Sequence, residues 1–204
     1  MWLFKMRLCL EKRAYLLVKR VVDIIVSLCG LIILSPLIVI VVLIIKFDSP
    51  GPAFFRQKRI GKDNKIFTIY KFRTMKIDTP DVAKEVLLNK GISSYMTRIG
   101  PFLRKSLIDE IPQLINVLKG DMSLVGPRPA LYNQYDLIEM RTKVGVHTLR
   151  PGMTGWAIIV GGEDLSLDEK VKADKCYLKN MSFMFDLKII LMTFGLFRKT
   201  KGIY

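Results

Sequence analysis

From Ile24 to Ile45 the chain carries no charged side chain. A run of about 22 residues reaches about 33 Å as a straight helix, enough to pass through the hydrocarbon core of a bilayer. Hydropathy therefore predicts one membrane-crossing helix. Two features oppose a simple span. Ser35-Pro36 falls in mid-run, and proline removes a backbone donor and clashes with the preceding turn, which predicts a kink. Both flanks are also basic: Lys5, Arg7, Lys12, Arg13, Lys19 and Arg20 against Glu11 alone before the run, then Lys46, Arg56, Lys58, Arg59, Lys62 and Lys65 after it. Basic flanks favour the cytoplasmic side. Two of them describe a hairpin that enters and leaves on one face, although a lone span can carry the same charges. Asp23, at the N-terminal edge, is placed to pair with Lys19 or Arg20 at headgroup depth. A secretory signal peptide does not fit, because the run is too long and no small-residue cleavage site follows it.

Setting that segment aside leaves about 150 residues, enough for a single buried core. The net charge of +15 calls for an anionic partner: lipid headgroups, a phosphorylated substrate or nucleic acid. Nucleic acid accounts for the charge but not for a composition that is 50% hydrophobic. The cysteines Cys9, Cys29 and Cys176 are scattered, show no metal or redox spacing, and read as reduced. The single histidine, His147, reads as a structural or surface residue, so histidine-based zinc sites and most Ser-His or Cys-His machinery are excluded.

After the turn signal Ser49-Pro50-Gly51-Pro52, two short strands, residues 53–56 and 65–72, form a hairpin around Gly61-Lys62-Asp63-Asn64. Its aromatics, mixed with lysine and arginine, could stack bases, but a half-buried hairpin with a basic face explains them equally. Residues 76–92 are polar and read as a loop with a short surface helix. The segment beyond Pro101 is helical, with a restart expected at Pro112 and a stop at Gly120. Residues 151–162 read as a glycine-rich loop. Ser166 followed by Glu169 marks a capping box and a helix. Residues 182–197 are apolar yet carry Asp186 and Lys188, as a core helix or an interfacial helix would. The fold class is α+β, mainly α.

Within this frame, Asp109 and Glu110 stand side by side on the predicted helix. Adjacent helical residues point about 100° apart, so the two cannot flank a glycosidic bond. One can instead face a pocket as nucleophile or metal ligand while the other orients it or shuttles a proton. An ordinary acidic first turn has the same composition. Arg128 shifts the balance, because Pro127 and Pro129 bias it to a stiff extended backbone, and a preorganised guanidinium suits bidentate phosphate binding. Arg104, shortly before the acidic pair, and Arg150, before Pro151-Gly152, are further candidates; a solvated helix face accounts for Arg104 equally well.

The segments "FRQKRIGKDNKIFTIYKFRTM", "TRIGPFLRKSLIDEIPQLINVLKGDMSLVGPRP" and "LRPGMTGWA" resemble the bacterial sugar transferases, the monotopic phosphoglycosyl transferases. The resemblance implies a re-entrant membrane helix broken at a Ser-Pro, matched by Ser35-Pro36, within residues 1–46. It implies a catalytic domain on the cytoplasmic face of the bacterial inner membrane, residues 47–204, with amphipathic interfacial helices around it. The Asp-Glu dyad matches Asp109-Glu110. In the family the Asp attacks the β-phosphate of a UDP-sugar, releases UMP and holds the phosphosugar covalently until a polyprenol phosphate takes it, beginning a glycan. Mg2+ is required beside the Asp, here Asp109. The family's phosphate-binding arginines match Arg104 and Arg128. The partners implied are the UDP-sugar, the polyprenol phosphate and membrane lipid, not nucleic acid, and a homo-oligomer is compatible with all of this. One departure stands out: after "GWA" the family usually reads "QVNGRN", and this chain has "IIVGGE" from Ile158 to Glu163, which leaves the donor sugar open. The rival reading is a catalytically silent membrane-surface adaptor with a basic face.

Overall fold

A computed structural model describes residues 2–79 and 95–199. Helix α1, Trp2–Asp48, is one continuous helix of 47 residues. The expected break at Ser35-Pro36 is therefore not an interruption of the helix. The reason is local. Proline at position 36 leaves the carbonyl of Ile32 without its helical donor, and the Ser35 hydroxyl donates to that carbonyl at 2.8 Å. The part from Ala14 to Asp48 is long and apolar enough to cross a membrane. Its middle presents large aliphatic side chains outward, Ile33 being 74% exposed.

Both ends of that part dock on the rest of the molecule. Asp23 acts on Arg20 through its charge without a close ion pair, and its Oδ1 accepts from the backbone N–H of Leu124 at 3.0 Å. Lys19 Nζ donates to Asp186 at 2.6 Å, and Arg20 donates to the carbonyls of Val117 and Leu118 at 2.5 and 2.8 Å. At the other end Val41 and Ile45 pack with Ala53, Phe72 and Leu103. The guanidinium of Arg73 then grips the carbonyls of Ser49 and Pro50, fixing the turn that follows.

Strands β1, Phe54–Ile60, and β2, Ile66–Phe72, form the expected antiparallel hairpin, with Phe54 opposite Phe72 and Ile60 opposite Ile66. Asp63 and Asn64 adopt left-handed conformations at its tip, which short polar side chains tolerate. The reading of residues 76–92 falls mainly outside the described residues. Next come α2, Gly100–Lys105, and α3, Gln113–Lys119; α3 ends on Gly120 at φ 89°, the stop expected there. Strand β3, Ser123–Val125, pairs in parallel with β4, Gly152–Thr154. Between them lies α4, Tyr135–Lys143.

The stretch expected as a glycine-rich loop thus holds β4 and a short helix, α5, Trp156–Val160. Close approach explains two of its glycines: a Cβ on Gly152 would run into the Gly126 nitrogen, and one on Gly155 into the Gly126 carbonyl oxygen. Helix α6, Leu167–Asn180, starts with the full Ser166–Glu169 capping box. Helix α7, Phe183–Lys199, buries Ile189 against Tyr177 and Val125 while exposing Met184 and Leu191. It thus has a core face and an apolar outer face, joining the two readings of that segment.

Candidate active site

Asp109 and Glu110 do not lie on a regular α-helix. Leu107 adopts φ 53°, a left-handed conformation unusual for a branched apolar residue, and this ends α2. The chain then makes a 3₁₀ turn, Ile108–Glu110, before Pro112 starts α3. Successive side chains of a 3₁₀ turn point about 120° apart. The two carboxylates therefore enter different surroundings.

Asp109 is 6% exposed, and its buried Oδ1 has no hydrogen-bond partner among the described residues. Burial pushes its carboxyl up to about 6, although the charges of Lys71, Arg104 and Arg128 oppose the shift. Glu110 is the reverse case. Burial would raise it, yet the Lys71 ammonium at 2.6 Å, the Arg128 guanidinium at 4.0 Å and a hydrogen bond with Gln113 hold it down to about 2. Two adjacent carboxyls are thus driven apart in acidity, the pattern by which one site separates two chemical roles.

The expected arginines divide between two places. Arg104 Nε donates to Thr74 Oγ1 at 2.9 Å, which holds the guanidinium near Asp109. Arg128 sits over Glu110, half exposed at the mouth of a cleft that Lys71, Gln113 and Met153 also line. Arg150 is not with them: its Nε donates to the Gly120 carbonyl at 2.9 Å, at the far end of α3.

The segment that carries Arg128 is pinned at each residue. Gly126 N donates to Thr154 at 2.9 Å, and Gly152 N to the Pro127 carbonyl at 2.9 Å. The Arg128 carbonyl accepts from Arg141 at 2.8 Å, the Pro129 carbonyl from Arg59 at 3.1 Å, and the Ala130 carbonyl from Ile60 at 2.9 Å. Arg141 is itself gripped by buried Asp174 through two bonds of 2.9 and 2.7 Å. The prolines predict a stiff segment; the cross-links supply its position.

Sequence reasoning did not single out Lys71, Gln113, Thr74, Arg59, Arg141 or Asp174. Lys71 and Thr74 lie in the motif "YKFRTM", the signal that could have marked them. Ile158 to Val160, where the family pattern is broken, lie on α5, which packs on α6 and α7 through Trp156 and Ile159 and lines neither this cleft nor the one beyond Arg128. His147 lines that second cleft, and its Nδ1 is buried without a partner among the described residues.

A magnesium ion takes one or two carboxylates, waters and substrate phosphate oxygens. An unpartnered buried carboxylate oxygen on Asp109 is a donor of that hard, anionic kind, so Asp109 fits such a role.

The family model of the bacterial sugar transferases matches residues 14–200. A UDP-N-acetylgalactosamine-undecaprenyl-phosphate N-acetylgalactosaminephosphotransferase of Aeromonas hydrophila is 39% identical over 88% of this chain and 43% of its own length. A UDP-glucose:undecaprenyl-phosphate glucose-1-phosphate transferase of Escherichia coli K12 is 41% identical over 87% of this chain and 39% of its own length. The chain thus spans about two fifths of those two relatives. The sugar transferase EpsL of Bacillus subtilis 168, itself uncharacterized, is 40% identical over 87% of this chain and 86% of its own length.

Proposed function

The chain belongs to the bacterial sugar transferase family, and on that premise we propose that it moves a sugar-1-phosphate from a UDP-sugar to a polyprenol phosphate, with release of UMP, at the start of a glycan. The observation that carries this reading is the split dyad: a buried Asp109 with a free oxygen beside a Glu110 held ionised by Lys71 and Arg128.

A carboxylate oxygen of Asp109 attacks the β-phosphorus of the donor. The bond from that phosphorus to the bridging oxygen breaks, and UMP leaves with the oxygen and its electron pair. The phosphosugar is then held on Asp109 as an acyl phosphate. An oxygen of the polyprenol phosphate attacks the same phosphorus, the Asp109 carboxylate departs, and a diphosphate-linked sugar forms. At neutral pH a carboxyl near 6 is mostly ionised, yet it keeps more basicity than an exposed aspartate. Arg128 and Lys71 stabilise charge that builds on the transferred group. Bound Mg2+ would supply further neutralisation of the phosphates, with Asp109 as its protein ligand.

The manner of docking supports a re-entrant α1. A straight helix from Arg20 to Ser49 would be about 43 Å long, against a hydrocarbon core of about 30 Å. Yet residues near both positions bond to one polar domain, and Gly30 between them meets Leu114. With a full span, that domain would lie beside the helix inside the bilayer. A continuous α1 that bends at Pro36 and keeps both ends on the cytoplasmic face leaves the domain in water.

The test is a burst. Protein mixed with a panel of UDP-sugars and Mg2+, without acceptor, releases up to about one equivalent of UMP with its matching donor, and intact mass rises by one phosphosugar that maps to Asp109. Asp109→Asn abolishes both signals. Label on Glu110, or full turnover by Asp109→Asn, sinks the mechanism. No release from any donor favours the silent adaptor.

A further inference from the structure

Arg20 and Arg150 meet at a place the dyad chemistry does not use. Arg150 donates Nε to the Gly120 carbonyl at 2.9 Å, while Arg20 donates to the Val117 and Leu118 carbonyls at 2.5 and 2.8 Å. A Cβ built on Gly120 would lie 3.2 Å from Arg20 Nη2, so both guanidinium groups converge on the residue that caps the C-terminal end of α3. They are close enough to repel one another. The helix end offers about half a negative charge in return.

Nearby carboxylates offset this repulsion only in part, Asp23 being the one whose charge reaches Arg20. Asp23 accepts from Leu124 N at 3.0 Å, and Asp121 faces Lys119 at 3.4 Å and Asn116 at 3.3 Å. Two planar forks with donors to spare and too little negative charge describe a receptor for a phosphate.

The position along α1 says which phosphate. Arg20 lies about four residues, roughly 6 Å, before the apolar run that starts at Ile24. The headgroup layer of one leaflet is about 5–8 Å thick. Around Arg20, α1 already exposes Leu17 at 70% and Val21 at 55%, a surface suited to acyl chains rather than water. We propose that Arg20 and Arg150 bind the headgroup phosphate of a membrane phospholipid in the leaflet that α1 enters, at a site separate from the Asp109 cleft. The bound lipid sets the depth at which the domain rides. The inference rests on the membrane-bound reading above.

The experiment follows unfolding of the full chain in neutral detergent while short-chain phosphatidylglycerol is titrated, with dioctanoylglycerol, inorganic phosphate and a polyprenyl phosphate as parallel arms. Phosphatidylglycerol raises the midpoint saturably and dioctanoylglycerol does not. Arg150→Gln keeps a donor for Gly120 but loses the charge, and weakens the lipid about tenfold, the loss expected for a charge-assisted bond. Lys175→Gln, the same charge change on α6, leaves binding as it was. Arg20→Gln weakens the lipid likewise; if it unfolds, the Arg150 and Lys175 pair decides.

Equal effects of Arg150→Gln and Lys175→Gln overturn the site, as does no effect of Arg150→Gln. Arg150-dependent binding of inorganic phosphate alone, or of the polyprenyl phosphate alone, reassigns the pair and also overturns it. UMP release measured on the same wild-type sample separates the two readings. Release without Arg150-dependent lipid binding removes this site only; lipid binding without release removes the transferase only.

Discussion

Asp109→Asn and Glu110→Gln are adjacent, isosteric, charge-removing substitutions, and the structure assigns them opposite effects on stability. Asp109 is raised from an ordinary 3.8 to about 6, so the fold favours its protonated form. Between pH 4 and 6 the native chain holds a proton that the unfolded chain has lost, and stability falls as pH rises through that window. Above it, ionised Asp109 costs about 3 kcal/mol. Glu110 is lowered from 4.5 to about 2, so its ionised form stabilises the fold by about 3 kcal/mol above pH 4.5, a contribution lost as pH falls through 2. At pH 7.5, without metal or donor, Asp109→Asn should therefore raise the unfolding midpoint and Glu110→Gln should lower it. A chain of this size shifts about 2–4 °C per kcal/mol, so each change approaches roughly 6–12 °C. The gain from Asp109→Asn should vanish by pH 4, where the native aspartate is already neutral. Circular dichroism melts in detergent with a chelator, at pH 4, 6 and 7.5, make the measurement. A destabilised Asp109→Asn at pH 7.5, or a stabilised Glu110→Gln, would refute the assignment of opposite environments. An inactive but more stable Asp109→Asn is the expected mark of a group kept buried for its chemistry.

Further expectations concern the arginines and the membrane. Arg128→Lys keeps the charge but loses the fork, and should reduce UMP release about tenfold to a thousandfold, roughly 1.4–4 kcal/mol; near-normal turnover in a folded variant would leave Arg128 a structural part only. Arg141→Lys cannot hold both Asp174 and the Arg128 carbonyl, so initial-rate kinetics should show a fall in kcat, about tenfold, with the domain still folded. An unchanged kcat would detach Arg141 from the positioning of Arg128. In a cysteine-free background, Lys5→Cys and Lys62→Cys should both resist an impermeant thiol reagent on intact cells; labelling of one alone would establish a full span.

Where signals are local, the elements were legible. The capping box at Ser166 and Glu169 is a contact within one turn, and it forms as read. The hairpin around Gly61 to Asn64 and the stop at Gly120 depend on residues that carry their own backbone preference. Leu107 has no such preference. Its left-handed conformation runs against what a branched apolar residue favours, so the acidic pair reads as helix in sequence and folds as a 3₁₀ turn. The β3–β4 pair joins segments with α4 between them through close approach of Gly126 and Gly152, and no short window of sequence contains both.

The division at the candidate site follows the same physics. The sequence by itself determined an apolar helix with a proline in its middle, a basic surface, an Asp-Glu pair and an arginine between prolines. These are properties of residue type and near spacing, and they persist whatever the chain packs against. Only the tertiary structure decided that Lys71 lies on Glu110, that Arg141 and Arg59 fix the backbone at Arg128, and that Arg150 joins Arg20 at the end of α3. It also decided which carboxyl is raised and which lowered, because acidity depends on burial and on charges delivered from other elements.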